Sequence, residues 1–212
     1  MDSAQLTRED RFRMLLAEWH DRAGAPDWND DLLRLTDEWR AVAWTSGGKT
    51  LLAALGLQYQ EVALCRALAW LLDPSGGHHM GRELIDAFFE DLGLPVERNA
   101  PVSIRVEESR SGTRADIVLR VGGQTVIIEA KVFAGEQPEQ ADRLSRHWAD
   151  DTPVLVFLTR TGHLPSTAKQ SADLWVARAW RDLARLARDV ADREGLNLSA
   201  GAREYIETIG AL

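Results

Sequence analysis

Three charged residues lie close enough in the chain to act together: Asp116, Glu129 and Lys131. They fall within Arg114–Lys131, Arg-Ala-Asp-Ile-Val-Leu-Arg-Val-Gly-Gly-Gln-Thr-Val-Ile-Ile-Glu-Ala-Lys, where two β-prone runs flank Gly122-Gly123. A two-residue loop between such runs reads as a tight β-hairpin, a loop length that favours turns with φ > 0 at both centres. The register then opposes Val121 to Gln124 and, counting outward, Asp116 to Glu129. One face carries Asp116, Val118, Ile127, Glu129 and Lys131. The other carries Ile117, Leu119, Val126, Ile128 and Val132, an apolar set at period two. Two carboxylates opposed with Cβ atoms roughly 5 Å apart repel and destabilise the hairpin. A divalent cation between them reverses that sign. Oxygen ligands without histidine or cysteine suit Mg²⁺ or Mn²⁺. Lys131 can reach a phosphate at the same place, where positive charge stabilises a pentavalent phosphorus centre.

Other residues could join this constellation. Glu61 shares a helix face with Cys65, Leu68 and Leu72. A glutamate on an apolar stripe is solvated near the helix end, or paired, or directed at a cation, and the helix dipole favours it at an N-terminus. Gln137 and Gln140 follow the hairpin. His78-His79 sit in a loop without a further histidine or cysteine at ligand spacing, which argues against a zinc site. Thr45-Ser46-Gly47-Gly48-Lys49-Thr50 fits a loose phosphate-loop pattern if counted from Ala43, but alanine replaces the first glycine and the preceding residues look helical. The stretch reads instead as a glycine helix stop and a fresh helix start.

The elements that must hold these residues follow from periodicity. Amphipathic helices are expected over 3–22 and about 29–43, then 49–56, 59–72 and 81–92. Four of the eight tryptophans (Trp19, Trp28, Trp39, Trp44) fall in the first 44 residues. Core packing accounts for them, and so does a partner-binding helical arm, since tryptophan anchors interfaces. Alternation at Val102, Ile104 and Val106 adds a strand over 101–107, which makes a three-strand meander with the hairpin. A helix over 137–150 leads to Pro153–Leu158, an apolar run of the buried, parallel kind, reached by a right-handed crossover. A short strand at 174–176 and helices over 180–193 and 199–210 complete the chain. The expected fold class is α/β, a mixed central sheet flanked by helices. The expected division is a helical N-terminal arm over 1–57 and a second domain over 58–212.

A chain of 212 residues with 45% hydrophobic and 27% charged residues can bury a sizeable core. The net charge of −8 argues against an indiscriminate nucleic-acid binder, although a metal-dependent site itself requires acids. Two basic stripes are candidates for local contacts: Arg143, Arg146 and His147, and Arg178, Arg181, Arg185 and Arg188. Solvated helix faces with intrahelical charge pairs are the favoured account of either one taken alone. Cys65, the single cysteine, excludes an internal disulfide framework and is assigned to a helix core. With no apolar run of membrane length and no signal-peptide pattern, the expected location is cytoplasmic.

Asp116 followed by Glu129-Ala130-Lys131 resembles the PD-(D/E)XK nuclease superfamily, whose signature is an acid on one strand and (D/E)-x-K on the next. Glu61-Val-Ala-Leu-Cys-Arg-Ala-Leu-Ala-Trp-Leu-Leu-Asp73-Pro74, with His78 beyond, is similar to the helix and loop of a bacterial family within it. "GEQPEQ" (135–140) and Trp180–Leu183 extend the likeness across about 58–183. The resemblance implies a restriction-endonuclease-like core, with Asp116 and Glu129 as ligands of Mg²⁺ or Mn²⁺ and the Ala130 carbonyl completing the inner sphere. It implies that Lys131 is the catalytic lysine, that Glu61 assists the metal, and that Gln137 or Gln140 orients the lysine or the substrate. It also puts His78 near the cleft. The implied activity is hydrolysis of phosphodiester bonds, of DNA before RNA, in a bacterial restriction or antiphage effector. The tryptophan-rich arm is a candidate surface for a protein partner, with core packing the default account of its tryptophans, and the oligomeric state stays open, a homodimer included. Two rivals are a catalytically silent domain of the same fold serving as a binding or assembly module, and a nucleotide-binding protein using Lys49.

Overall fold

A computed structural model describes residues 50–212. The chain divides into two compact units, Met1–Gly48 and Lys49–Leu212, and the described residues belong to the second. The helices expected over 3–22 and 29–43, the tryptophan-rich arm and Lys49 lie outside the described residues.

Apolar alternation and β-branched content build five strands: β1 (Val102–Arg110), β2 (Thr113–Val121), β3 (Gln124–Ala130), β4 (Val154–Thr159) and β5 (Trp175–Ala179). They form one mixed sheet in the order β1-β2-β3-β4-β5. The first three are the expected antiparallel meander, and β4 and β5 join in parallel. The β2–β3 register opposes Val121 to Gln124 and Ile117 to Ile128, as counted from the turn. The turn conformations differ from expectation. Gly122 takes a left-handed φ of 58° and Gly123 does not, whereas Ser111 (48°) and Gly112 (78°) between β1 and β2 are both left-handed. Glycine at the first central position alone suits a type II′ turn, which still matches the strand twist.

Around the sheet lie α1 (Leu51–Ala54), α2 (Glu61–Leu72), α3 (Glu83–Asp91), α4 (Gln140–His147), α5 (Trp180–Arg193) and α6 (Ala200–Gly210). Leu64, Leu68, Phe88, Trp180, Ala187 and Ile206 from α2, α3, α5 and α6 pack with Ile117, Leu119, Val126 and Ile128 on one sheet face. Ala141, Leu144 and Trp148, on α4 and at its end, cover Val118, Ile127, Leu155 and Phe157 on the other. Coverage on both sides explains why β3 and β4 are continuous apolar runs. Residues 50–57, read with the N-terminal arm in sequence, pack against α6: Thr50 caps α1 through Ala53 N–H and meets the Thr208 hydroxyl at 2.7 Å.

Two local stops matter for the site. Helix α2 ends at Asp73, extended (φ −77°, ψ 116°) because Pro74 disfavours helical backbone before it. Helix α4 starts at Gln140 rather than 137. Pro138 pushes Gln137 away from helical backbone, and Glu139 sits at a left-handed φ of 53°. Residues 131–139 therefore form an irregular segment leaving β3.

Candidate active site

The β2–β3 ladder stops at Ile117–Ile128, one position short of Asp116 and Glu129. Past that point the Asp116 carboxylate takes over, accepting a hydrogen bond from the Ala130 N–H at 2.8 Å. Asp116 and Glu129 thus belong to one site without forming a ladder pair. On its other edge β3 stays paired with β4 through Ala130–Leu158. Lys131 continues that ladder by donating its N–H to the Leu158 carbonyl at 2.8 Å. The Lys131 carbonyl accepts from the Trp180 indole N–H at 3.3 Å. Strand β4 and the first turn of α5 therefore fix the lysine backbone from two sides.

Glu129 is the buried centre of the site, only 2% exposed. Its Oε1 accepts from Lys131 Nζ at 2.6 Å and from the Gln140 side-chain amide. Its Oε2 is buried and has no hydrogen-bond partner among the described residues. An unpartnered buried carboxylate oxygen is costly unless something else meets it. Lys131 Nζ also donates to the Ala130 carbonyl at 3.1 Å and stands 3.8 Å from Glu61 Oε2. Glu61, the first residue of α2, accepts through Oε1 from the N–H groups of Val132 (2.9 Å) and Ala134 (3.3 Å). Of the readings open to it in sequence, the glutamate is paired, and it holds the chain where it leaves β3.

The electrostatics follow from burial. Desolvation, reinforced by the Asp116 charge, pushes the Glu129 carboxyl up to about 8. Burial also raises Asp116, against the opposing pull of the Ala130 N–H and the Lys131 ammonium. For Lys131 desolvation acts downward, but Glu129, Asp116 and Glu61 together outweigh it, so its pKa rises and it stays an ammonium. Cys65, one turn along α2 from Glu61, is buried. Desolvation and then the neighbouring Asp116 and Glu129 hold its thiol far above the ordinary range, which makes it the inert core cysteine the sequence suggests.

These donors fit a hard divalent cation. Glu129 Oε2 is unpartnered among the described residues, Asp116 is close enough to raise the Glu129 pKa, and Ala130, next to Glu129 in sequence, donates its N–H to Asp116. Two carboxylates and a carbonyl suit Mg²⁺ or Mn²⁺ better than softer metals. Among the described residues no group of three or more His, Cys, Asp or Glu side chains is gathered as a metal cage, consistent with Glu61 being turned toward backbone amides and Lys131.

Of the two glutamines, Gln140 reaches Glu129, whereas the Gln137 side chain is met by Arg143 at 3.4 Å. His78 is a correction. It is fully buried, its Nδ1 accepting from Met80 N–H at 3.0 Å, so its Nε2 carries the proton given to the Asp73 carbonyl at 2.7 Å. It packs edge-on against Trp70, beyond the far end of α2 from Glu61, a separation of roughly 18 Å at 1.5 Å per residue. His78 closes the helix instead of lining the cleft. Gly76 is required beside it, since a Cβ there would meet His78 Cδ2 at 2.4 Å and the Trp70 carbonyl at 2.6 Å.

A family model described as the PD-(D/E)XK nuclease superfamily matches residues 50–206. The chain belongs to the PD-(D/E)XK nuclease superfamily. No curated protein and no solved structure matched the chain. The five-stranded mixed sheet flanked by helices is consistent with the restriction-endonuclease-like fold of PD-(D/E)XK proteins, and the match spans Glu61, Asp116, Glu129, Lys131 and Gln140. No helix among the described residues is long and apolar enough to cross a membrane.

Several features of this PD-(D/E)XK domain were not read from sequence. Glu136 accepts from the amides and hydroxyls of Ser166 and Thr167, and Asp142 accepts from the amides of Lys169, Gln170 and Ser171. Together they pin the segment after β4 to the one after β3. The only sequence signal was acids flanking the glutamines. The second basic stripe is largely spoken for. Arg178 pairs with Asp91, Arg185 with Asp182, and Arg188 donates to the Ile206 carbonyl.

Proposed function

We propose that the chain is a metal-dependent nuclease that hydrolyses phosphodiester bonds of DNA. The observation that carries the proposal is Glu129, a buried carboxylate with one oxygen held by Lys131 and Gln140 and the other without a partner among the described residues. Asp116 and Glu129, with the Ala130 carbonyl, would hold Mg²⁺ or Mn²⁺. A bound divalent ion supplies Lewis acidity toward a phosphoryl oxygen and lowers the pKa of water. Lys131 brings its ammonium to the scissile phosphate and stabilises the added negative charge at phosphorus. Gln140 keeps Glu129 oriented. Glu61 is read as a positioning residue, holding Lys131 and the backbone of Val132 and Ala134 rather than binding the metal itself.

The substrate assignment to DNA rests on the superfamily, as does a role as effector of a bacterial restriction or antiphage system. The boundary of the arm at 57 and its part as a partner surface belong to the same proposal. Supercoiled plasmid and single-stranded DNA, each incubated with Mg²⁺, Mn²⁺ or EDTA, test it. Cleavage in either metal and none in EDTA is expected. Absence of cleavage under all conditions, with metal still bound, would instead favour the silent binding module.

A further inference from the structure

Tyr59, Phe133 and Arg160 come from three separate segments and meet at one end of the sheet. Tyr59 lies two residues before Glu61, Phe133 two after Lys131, and Arg160 directly follows β4. The rings of Tyr59 and Phe133 stand 4.9 Å apart at 75°, and the Arg160 guanidinium carbon lies 4.5 Å over the Phe133 ring. The Arg160 Nε donates to the Leu212 carbonyl at 3.3 Å, which orients the guanidinium. Despite these contacts Phe133 is 61% and Tyr59 54% exposed. Large apolar rings that are both ordered and open to solvent mark a binding surface when they cluster. Here the cluster flanks the residue that carries the catalytic ammonium.

Resting on the nuclease reading above, we propose that Tyr59, Phe133 and Arg160 form a stacking platform for an unpaired nucleobase. The preferred substrate is then a single strand or a frayed end. Every base has a π-face that stacks on an aromatic ring or a guanidinium plane, independent of sequence. In a duplex those faces are already occupied by neighbouring base pairs. A strand whose phosphate approaches Lys131 passes beside Phe133, two residues along the same segment, so its adjacent base meets the platform. Arg160 adds positive charge toward the backbone and a cation over the ring.

Fluorescence anisotropy of the full chain in EDTA tests this, with a labelled single strand, the same strand annealed to its complement, and the same strand made abasic. Wild type should bind the intact single strand at least tenfold more tightly than the duplex or the abasic strand. Phe133→Ala and Tyr59→Ala should each weaken single-strand binding about tenfold, the scale of one lost base stack, and change duplex binding less than twofold. Phe133→Trp should keep the wild-type preference. Both rings are exposed, so unchanged melting temperatures should show that the variants fold. Equal losses on single strand and duplex, wild-type affinity for the abasic strand, or no binding of any probe would overturn the platform. Cleavage with Mg²⁺ is scored separately. Cleavage with no variant effect on binding removes the platform alone, and the binding pattern without cleavage removes the nuclease reading alone.

Discussion

In the proposed nuclease site, Glu129 is the side chain on which the chemistry would turn. Its carboxyl is raised from an ordinary 4.5 to about 8 by burial and by Asp116. Between those values the folded chain keeps a proton that the unfolded chain releases. Folding stability from this group is therefore fully present below pH 4.5 and lost as pH rises through 8. A cation must displace that same proton, so metal affinity should climb about tenfold per pH unit up to pH 8 and level off above. Calorimetric titration of Mn²⁺ at several pH values measures this, and Glu129→Gln should abolish binding together with its pH dependence. A pH-independent affinity would mean that Glu129 carries no proton for the metal to displace. Much of this site was legible at residue scale. Asp116, Glu129 and Lys131 declare themselves by type and spacing. The choice between Gln137 and Gln140 was not legible, because it depends on Pro138 and the left-handed Glu139 delaying the helix. Nor was the pairing of Glu61 with Val132 and Ala134, which requires knowing where α2 meets the end of β3.

At the scale of elements, the site sits where β3 ends and its ladder with β4 runs one residue further, to Lys131 N–H. Strand identities and the β2–β3 register could be counted from Gly122-Gly123, because period-two alternation fixes both. The end of that ladder could not, since it depends on Asp116 replacing a strand pair with its own side chain. His78 is the counterpart. The family resemblance implied a place near the cleft, whereas the length of α2 carries it to the opposite end. Trp180 links α5 to the lysine, and its removal separates packing from hydrogen bonding. Trp180→Phe should cost about 1 kcal/mol, one hydrogen bond, and lower activity through a less fixed Lys131. Trp180→Ala should cost about 3–5 kcal/mol, a large cavity in a core. Urea unfolding measures both, and equal costs would mean that packing of the ring adds nothing beyond the indole hydrogen bond. Glu136→Ala should unpin Ser166 and Thr167 and raise amide hydrogen exchange over 160–171, with the sheet unaffected. Unchanged exchange there would show that Asp142 alone suffices.

For the whole molecule, the fold carries a buried oxygen without a partner among the described residues and two carboxylates raised by desolvation, so a cation bound there would stabilise it. Mg²⁺ or Mn²⁺ should raise the melting temperature by mass action, about 2.7 kcal/mol of stabilisation at one hundred times the dissociation constant. Asp116→Asn should remove most of that response and leave the metal-free fold intact. A full response in that variant would locate the metal elsewhere. Under the proposed function, the acidic total of the chain, −8, requires that nucleic acid be met locally, at the site and its rim, rather than by a uniformly basic surface. The most direct test is the single-turnover cleavage rate of DNA in Mg²⁺ for wild type and Lys131→Ala. Metal-dependent cleavage that falls at least 100-fold in the variant, the scale of losing one charge-stabilising group, is the expected result. Cleavage that proceeds undiminished without the Lys131 ammonium would contradict the account.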